Sequence, residues 1–249
     1  IVYTTPYCYK FIRKLKKTKG DIMKLDTSNL DLVKKYNDFV RNSPYGHHMQ
    51  DTHWSIVKNT RKSVYFYKEK DGQIIAALSI IYIHDSKVDS NFYYAPRGPV
   101  CDLNDIDLVK SLIDEASEYI REKGGFLLRL DPEYVYDEEL TEKYRKEGLI
   151  CVRDHASCSQ PLRSLILDIN GRDIDEIFKN FSKNTRKHIR SSYRNDIVTT
   201  KYGRERLDDF YETIRVMAER AGIGHRDKAY FERLFDAYGD DIRMTFSEL

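Results

Sequence analysis

The spacing of apolar and polar residues changes period several times along the chain, and each change predicts an element. Residues 27–44, "TSNLDLVKKYNDFVRNSP", place Leu30, Val33, Tyr36 and Val40 at helical intervals behind a Ser/Asn start, the pattern of a capped amphipathic helix. After the break "SPYGHH", Gln50–Arg61 predicts a second short helix. "SVYFYKEKDGQIIAALSIIYI" then reads as two strands joined at Asp71-Gly72, because Asp-Gly readily supplies the two left-handed positions of a tight hairpin. Its apolar run Ile74–Ile83 is a buried strand, far short of the roughly 20 residues needed to span a bilayer. "SNFYYA" follows as a third strand. Ile106, Val109, Leu112, Ile113, Ala116 and Ile120 then mark one face of a helix that stops at Gly124, and "FLLRLDP" (Phe126–Pro132) is another buried strand.

At "HASCSQP" (His155–Pro161) the pattern restarts. It predicts a strand in "LRSLILDI", a helix over 173–194, a strand in "DIVTTKYG", helices over 205–221 and 226–238, and a last strand in "DIRMTFSEL". Two helices followed by sheet loosely repeat the order of the first half. The expected fold is α+β with mixed sheets, compatible with an N-acyltransferase. The expected division is a basic extension over 1–22, a first domain over 23–158, and the start of a second over 159–249, incomplete where the sequence stops in mid-element.

Composition narrows this little. Apolar residues make up 41% of the 249, enough for a real core, while 42 Lys+Arg against 40 Asp+Glu leave a net charge of +2. Any affinity for polyanions must therefore come from a local patch. Cys8, Cys101, Cys151 and Cys158 form no CxxC pair, which fits reduced thiols in a cytoplasmic protein. His47, His48 and His53 fit no standard metal spacing, so no metal is expected. The motifs GxSxG, HExxH, GxxxxGK[ST] and HxE…CxxC are absent.

One local patch stands out. "DIDEIFKNFSKNTRKHIRSSYR" (173–194) begins with a capping-box-like Asp173 and Glu176, then carries Lys179, Lys183, Arg186, Lys187, Arg190 and Arg194 with no acid among them. On one continuous helix these six fall within an arc of about 100°. Ile174, Ile177, Phe178, Phe181, Ile189 and Tyr193 take the other side, predicting a core face and a cationic ridge. A solvent helix normally interleaves acids four residues away. Unrelieved like charges favour an anion, and a phosphorylated small molecule and an RNA backbone both fit. A second feature is "YYAPRGPV", where Arg97 is framed by Pro96, Gly98 and Pro99. Proline fixes the approach and glycine permits close backbone contact.

In order, "MQDTHWSIVK", "DGQIIAALSI", "YYAPRGPVCDLND", "LLRLDP" and "SKNTRKHIRSS" resemble the FemABX family of peptidoglycan-bridge aminoacyltransferases over about residues 24 to 249. The resemblance implies tandem acyl-CoA N-acyltransferase-like (GNAT-like) domains. It also implies transfer of an amino acid from aminoacyl-tRNA to the amine of a peptidoglycan precursor stem peptide, with aminoacyl-tRNA as co-substrate and no cofactor. The precursor would be UDP-MurNAc-pentapeptide or lipid II, and a lipid-linked acceptor would bring the cytoplasmic enzyme to the inner membrane face. Carried over by motif, Lys58 with Arg186, Lys187 and Arg190 would hold the precursor's pyrophosphate, and Tyr94 and Arg97 would line the same cleft.

The aminoacyl ester is already activated, so the transfer needs a neutral amine and charge stabilisation but no covalent nucleophile. Asp131 in "RLDP" is a candidate to take the amine's proton, although an aspartate that ends a strand before proline is more often structural; a substrate group could serve instead, and no base is assigned. Two other classes use the same features. An acetyl-CoA-dependent N-acetyltransferase shares the fold but needs a pyrophosphate loop not met here, and a non-catalytic RNA-binding module would use the basic helix alone.

Overall fold

A computed structural model describes residues 2–4, 22–153, 159–161 and 163–249. Most of the basic extension, Cys8, Cys158 and most of the "HASCSQP" restart lie outside the described residues. The chain divides into two compact units, 1–166 and 167–249.

The first unit runs β1 (Val2–Thr4), β2 (Ile22–Lys24), α1 (Leu30–Asn42), α2 (Trp54–Val57), β3 (Lys62–Lys70), β4 (Gln73–Asp85), β5 (Ser90–Pro96), α3 (Ile106–Glu122), β6 (Gly125–Asp131), α4 (Glu138–Lys146) and β7 (Arg163–Leu165). β2 to β6 form one sheet in sequence order. Its neighbours are antiparallel except β5 and β6, which run parallel because α3 crosses between them. The β3–β4 hairpin turns at Asp71 and Gly72, both at positive φ (51° and 73°), as their sequence requires. α1 starts at Asn29, whose side chain accepts the Leu32 N–H. Apolar side chains alternate between two layers: Phe66, Leu78, Ile80, Tyr93, Leu128 and Leu130 pack with α3, while Tyr65, Tyr67 and Ala77 pack with Tyr36 and Val40 of α1. β1 and β7 pair separately.

The second unit runs α5 (Ile174–Asn180), α6 (Lys183–Arg194), β8 (Val198–Tyr202), α7 (Leu207–Ala221), α8 (Lys228–Tyr238) and β9 (Met244–Glu248). β8 and β9 pair antiparallel, and Phe210 meets Phe231 edge-on across α7 and α8.

Four expectations are corrected. Gln50–Arg61 is not one helix but a 3₁₀ turn over His48–Gln50 followed by the single turn of α2. Asp51 Oδ1 takes the Trp54 N–H, and Asn37 Oδ1 takes that of Thr52, so side chains compete for the amides a longer helix would use. The run 173–194 is two helices, because Ser182 leaves helical geometry and caps α6 by accepting the Thr185 N–H at 3.1 Å. Lys179 therefore stands on α5, apart from the other five cations. Nor is the apolar side of this segment a buried core: Ile174 and Tyr193 are 78% and 75% exposed. Leu162 lies outside the described residues, and among the described residues of "LRSLILDI" only Arg163–Leu165 is strand.

Candidate functional site

β5 delivers Tyr94 and Arg97 to one place. In the parallel pairing Tyr94 lies beside Arg129 and Pro96 beside Asp131, the last residue of β6. The Asp131 carboxylate is thereby placed under the turn that follows β5. Its Oδ1 accepts the backbone N–H of Arg97 at 2.6 Å and its Oδ2 the hydroxyl of Tyr94 at 2.5 Å. Gln160 donates its amide to the Tyr94 oxygen at 3.3 Å. Arg97 has φ +56° and precedes the cis Gly98-Pro99 peptide. A non-glycine residue in the left-handed region is held there by its surroundings, and here the carboxylate clamp does the holding.

Gln50 secures the other side of the turn. Its buried side chain donates to the carbonyls of Ser79 (3.1 Å) and Pro96 (2.6 Å) and accepts the Ser79 N–H at 2.8 Å. A Cβ at position 98 would fall 2.5 Å from Gln50 Oε1, so only glycine lets the turn lie this close.

The electrostatics follow from burial. Arg97 is 8% exposed, and its Nη1 is buried without a hydrogen-bond partner among the described residues. Asp131 is 4% exposed, and burial pushes its carboxyl up to about 6, against the opposing pull of Tyr94 and Arg97. Burial first, then the Asp131 charge, pushes the Tyr94 hydroxyl far above its ordinary range. His47 is lowered to about 3 by burial, by His48 and by the Arg97 charge; its ring lies 4.2 Å from that of His48, which in turn meets Trp54 edge-on. Burial lowers His48 as well, against the opposing pull of Asp51.

Lys58 follows α2 and sets its ammonium 5.2 Å from the centre of the Trp54 ring. The spacing Gln50-x-x-x-Trp54-x-x-x-Lys58 thus joins a turn-bracing amide to a cation held on an indole.

The remaining site candidates belong to the second unit and share α6. Arg186 donates Nη1 to the carbonyls of Lys179 (2.8 Å) and Phe181 (2.5 Å), closing the C-terminal end of α5. Arg190 lies over the Phe178 ring at 5.1 Å. Lys183, Lys187, Arg190 and Arg194, with Asn184 and Tyr193, line an open groove of about 830 Å³. Among the described residues none of these four cations is in an ion pair.

Of the residues singled out in the sequence, Tyr94, Arg97 and Asp131 are therefore one hydrogen-bonded assembly, and Lys187 and Arg190 share one groove. Gln50, His47 and His48 were not assigned a part in the site. Gln50 was visible as the first residue of its motif; the histidines gave no signal beyond their adjacency. Among the described residues no group of three or more His, Cys, Asp or Glu could hold a metal ion, and no helix is long and apolar enough to cross a membrane.

Comparison with known proteins places this geometry among relatives. The model of the FemAB family matches residues 32–149 and 147–249. A UDP-N-acetylmuramoylpentapeptide-lysine N(6)-alanyltransferase of Weissella viridescens is 34% identical over 232 residues, which are 89% of this chain and 68% of that protein. A lipid II:glycine glycyltransferase of Staphylococcus aureus (strain MRSA252) is 26% identical over 223 residues, 83% of this chain and 51% of the relative. The crystal structure of FemX superposes with a TM-score of 0.80 at 22% identity, covering 91% of this chain and 58% of that one. The α+β fold with a mixed sheet read from the sequence is the fold of the chain and is shared with FemX; the chain spans between about half and two thirds of the length of these relatives.

Proposed function

The chain belongs to the FemAB family, and from that premise we propose that it serves an aminoacyltransferase moving an amino acid from aminoacyl-tRNA to the stem-peptide amine of a peptidoglycan precursor. The two relatives are named for acting on such precursors, one nucleotide-linked and one lipid-linked. The observation that carries the reading is Arg97, a buried guanidinium with one nitrogen unpartnered among the described residues, fixed on a turn braced from both sides. Keeping a charge buried is costly unless it is matched, and the acceptor's phosphates and carboxylates are the matching chemistry.

In this reading Lys58 and Arg97 meet the acceptor's anionic groups, Tyr94 shapes the wall beside them, and Lys187 and Arg190 supply the cationic groove of the second unit. Arg186 acts through the fold of that unit by closing α5. Asp131 has both oxygens occupied, so its part is to position Arg97, and the amine's proton goes to a substrate group. A free lysine-type amine has a pKa of about 10.4, so attack on the ester requires that deprotonation. No cofactor is needed, because the ester arrives activated. A nucleotide-linked acceptor keeps the enzyme in the cytoplasm; a lipid-linked one brings it to the inner membrane face.

The test is transfer of radiolabelled amino acid from charged tRNA to UDP-MurNAc-pentapeptide and to lipid II, with calorimetric binding of both acceptors. Transfer to either, with binding weakened roughly tenfold by Lys58→Ala and by Lys187→Ala as for lost charged hydrogen bonds, supports the proposal. Failure of both acceptors, with acetyl-CoA instead raising the unfolding temperature, would overturn it.

A further inference from the structure

On the face of the main sheet that carries α3, the first residues of β3 and β5 and the last of β4 meet the C-terminal end of α3. They enclose a cavity of about 360 Å³, near the small end of ordinary ligand sites. Lys62, Lys123 and His84 line it, and no residue lining it is acidic. Among the described residues neither lysine has an ion pair; His84 has one, to the exposed Asp89, which lies outside the lining. A third ammonium, that of Lys24, stands 5.3 Å from the ring of Tyr119, a wall residue.

The floor is aromatic. Tyr82 and Tyr93, cross-strand neighbours, stack with centroids 4.7 Å apart and planes 20° apart. Tyr93 is fully buried, and its hydroxyl has no hydrogen-bond partner among the described residues. A buried hydroxyl left unmatched is costly, and it belongs to a residue lining an otherwise cationic cavity. Burial pushes its pKa up to about 12, so it stays protonated and can donate.

The end of α3 would ordinarily repel an anion, since unpaired carbonyls gather there. Here Asn91 donates its side-chain amide to the Lys123 carbonyl at 3.1 Å, and the Ser90 hydroxyl donates to that of Gly124. Both carbonyls are engaged, and the lysine ammonium groups set the local sign.

We propose that this cavity binds a small phosphate monoester carrying a flat ring. Lys62 and Lys123 hold the phosphate, the Tyr93 hydroxyl donates to one of its oxygens, and the ring lies against the tyrosine wall. The site stands on its own observations and does not depend on the transfer reaction.

The experiment is titration of phenyl phosphate into the full chain, followed by amide NMR, with inorganic phosphate and phenol as comparison probes. Saturable shifts are expected at residues 82–84, 91–93 and 119–123. Lys62→Gln and Lys123→Gln, both surface changes, should each weaken binding roughly tenfold, and Tyr93→Phe should weaken it too. Phenol as tight as phenyl phosphate would mean an apolar hole. Shifts confined to the Arg97 turn or to α6, or lysine variants that bind as wild type, would likewise overturn the proposal.

Discussion

Asp131 holds Arg97 by its backbone: Oδ1 of the aspartate accepts the arginine N–H at 2.6 Å, leaving the guanidinium for other work. The same carboxylate accepts from Tyr94 with its other oxygen, so one side chain fixes a strand and the turn that leaves it. Asp131→Ala would strand a buried N–H and a part-buried hydroxyl. A loss of about 2–4 kcal/mol is expected, read from urea unfolding. A loss below about 0.5 kcal/mol would show that the turn holds its shape without the clamp.

The same group gives stability a pH dependence. The Asp131 carboxyl is raised from 3.8 to about 6 on folding, chiefly by burial. Between those values the folded chain keeps a proton that the unfolded chain releases, so this group's contribution falls as pH rises from 4 through 6. The full change approaches about 3 kcal/mol at neutral pH. Asp131→Asn cannot titrate, so the variant should gain on the wild type by about 2–3 kcal/mol between pH 4 and pH 7 in denaturant unfolding. Parallel curves would place the carboxyl at its ordinary value.

Gln50 makes a prediction about packing. Its amide joins the carbonyls of Ser79 and Pro96 and the Ser79 N–H, all buried, and Gly98 lies against it. Gln50→Ala should cost about 2–4 kcal/mol by leaving those groups unmatched. Gly98→Ala should also destabilise, because its Cβ would overlap a side chain fixed by three bonds. Thermal unfolding of both variants checks this; an unchanged midpoint for Gly98→Ala would mean that Gln50 moves aside easily.

What was legible in the sequence follows from how local the deciding interactions are. The β3–β4 hairpin was legible because Asp71-Gly72 settles it alone, and α3 because its period and its glycine stop lie within one segment. The stiffness of the Arg97 turn was visible in its prolines, and Asp131 was visible as a strand-ending aspartate. Their pairing was not, because it depends on β5 and β6 lying side by side in a register that no single segment encodes. Gln50 was seen as part of a motif, while its bonds reach residues 29 and 46 positions away. The break at Ser182 was a local signal overridden by helical periodicity: a serine three residues before a threonine is a cap as readily as a helix interior.

That break separates two arginine-helix residues that looked equivalent. Arg186 bonds the carbonyls of Lys179 and Phe181 and so ties α5 to α6, whereas Lys187 faces the open groove. Arg186→Ala should therefore cost the chain about 1–2 kcal/mol in denaturant unfolding, with acceptor binding lowered partly through the altered helix pair. Lys187→Ala should leave unfolding within about 0.5 kcal/mol of wild type, as is usual for surface changes. It should still weaken binding of an anionic acceptor, and the weakening should shrink as salt is raised. If Arg186→Ala unfolds like the wild type and loses binding as Lys187→Ala does, then Arg186 turns from its carbonyls to the ligand, and the cationic ridge works as five residues rather than four.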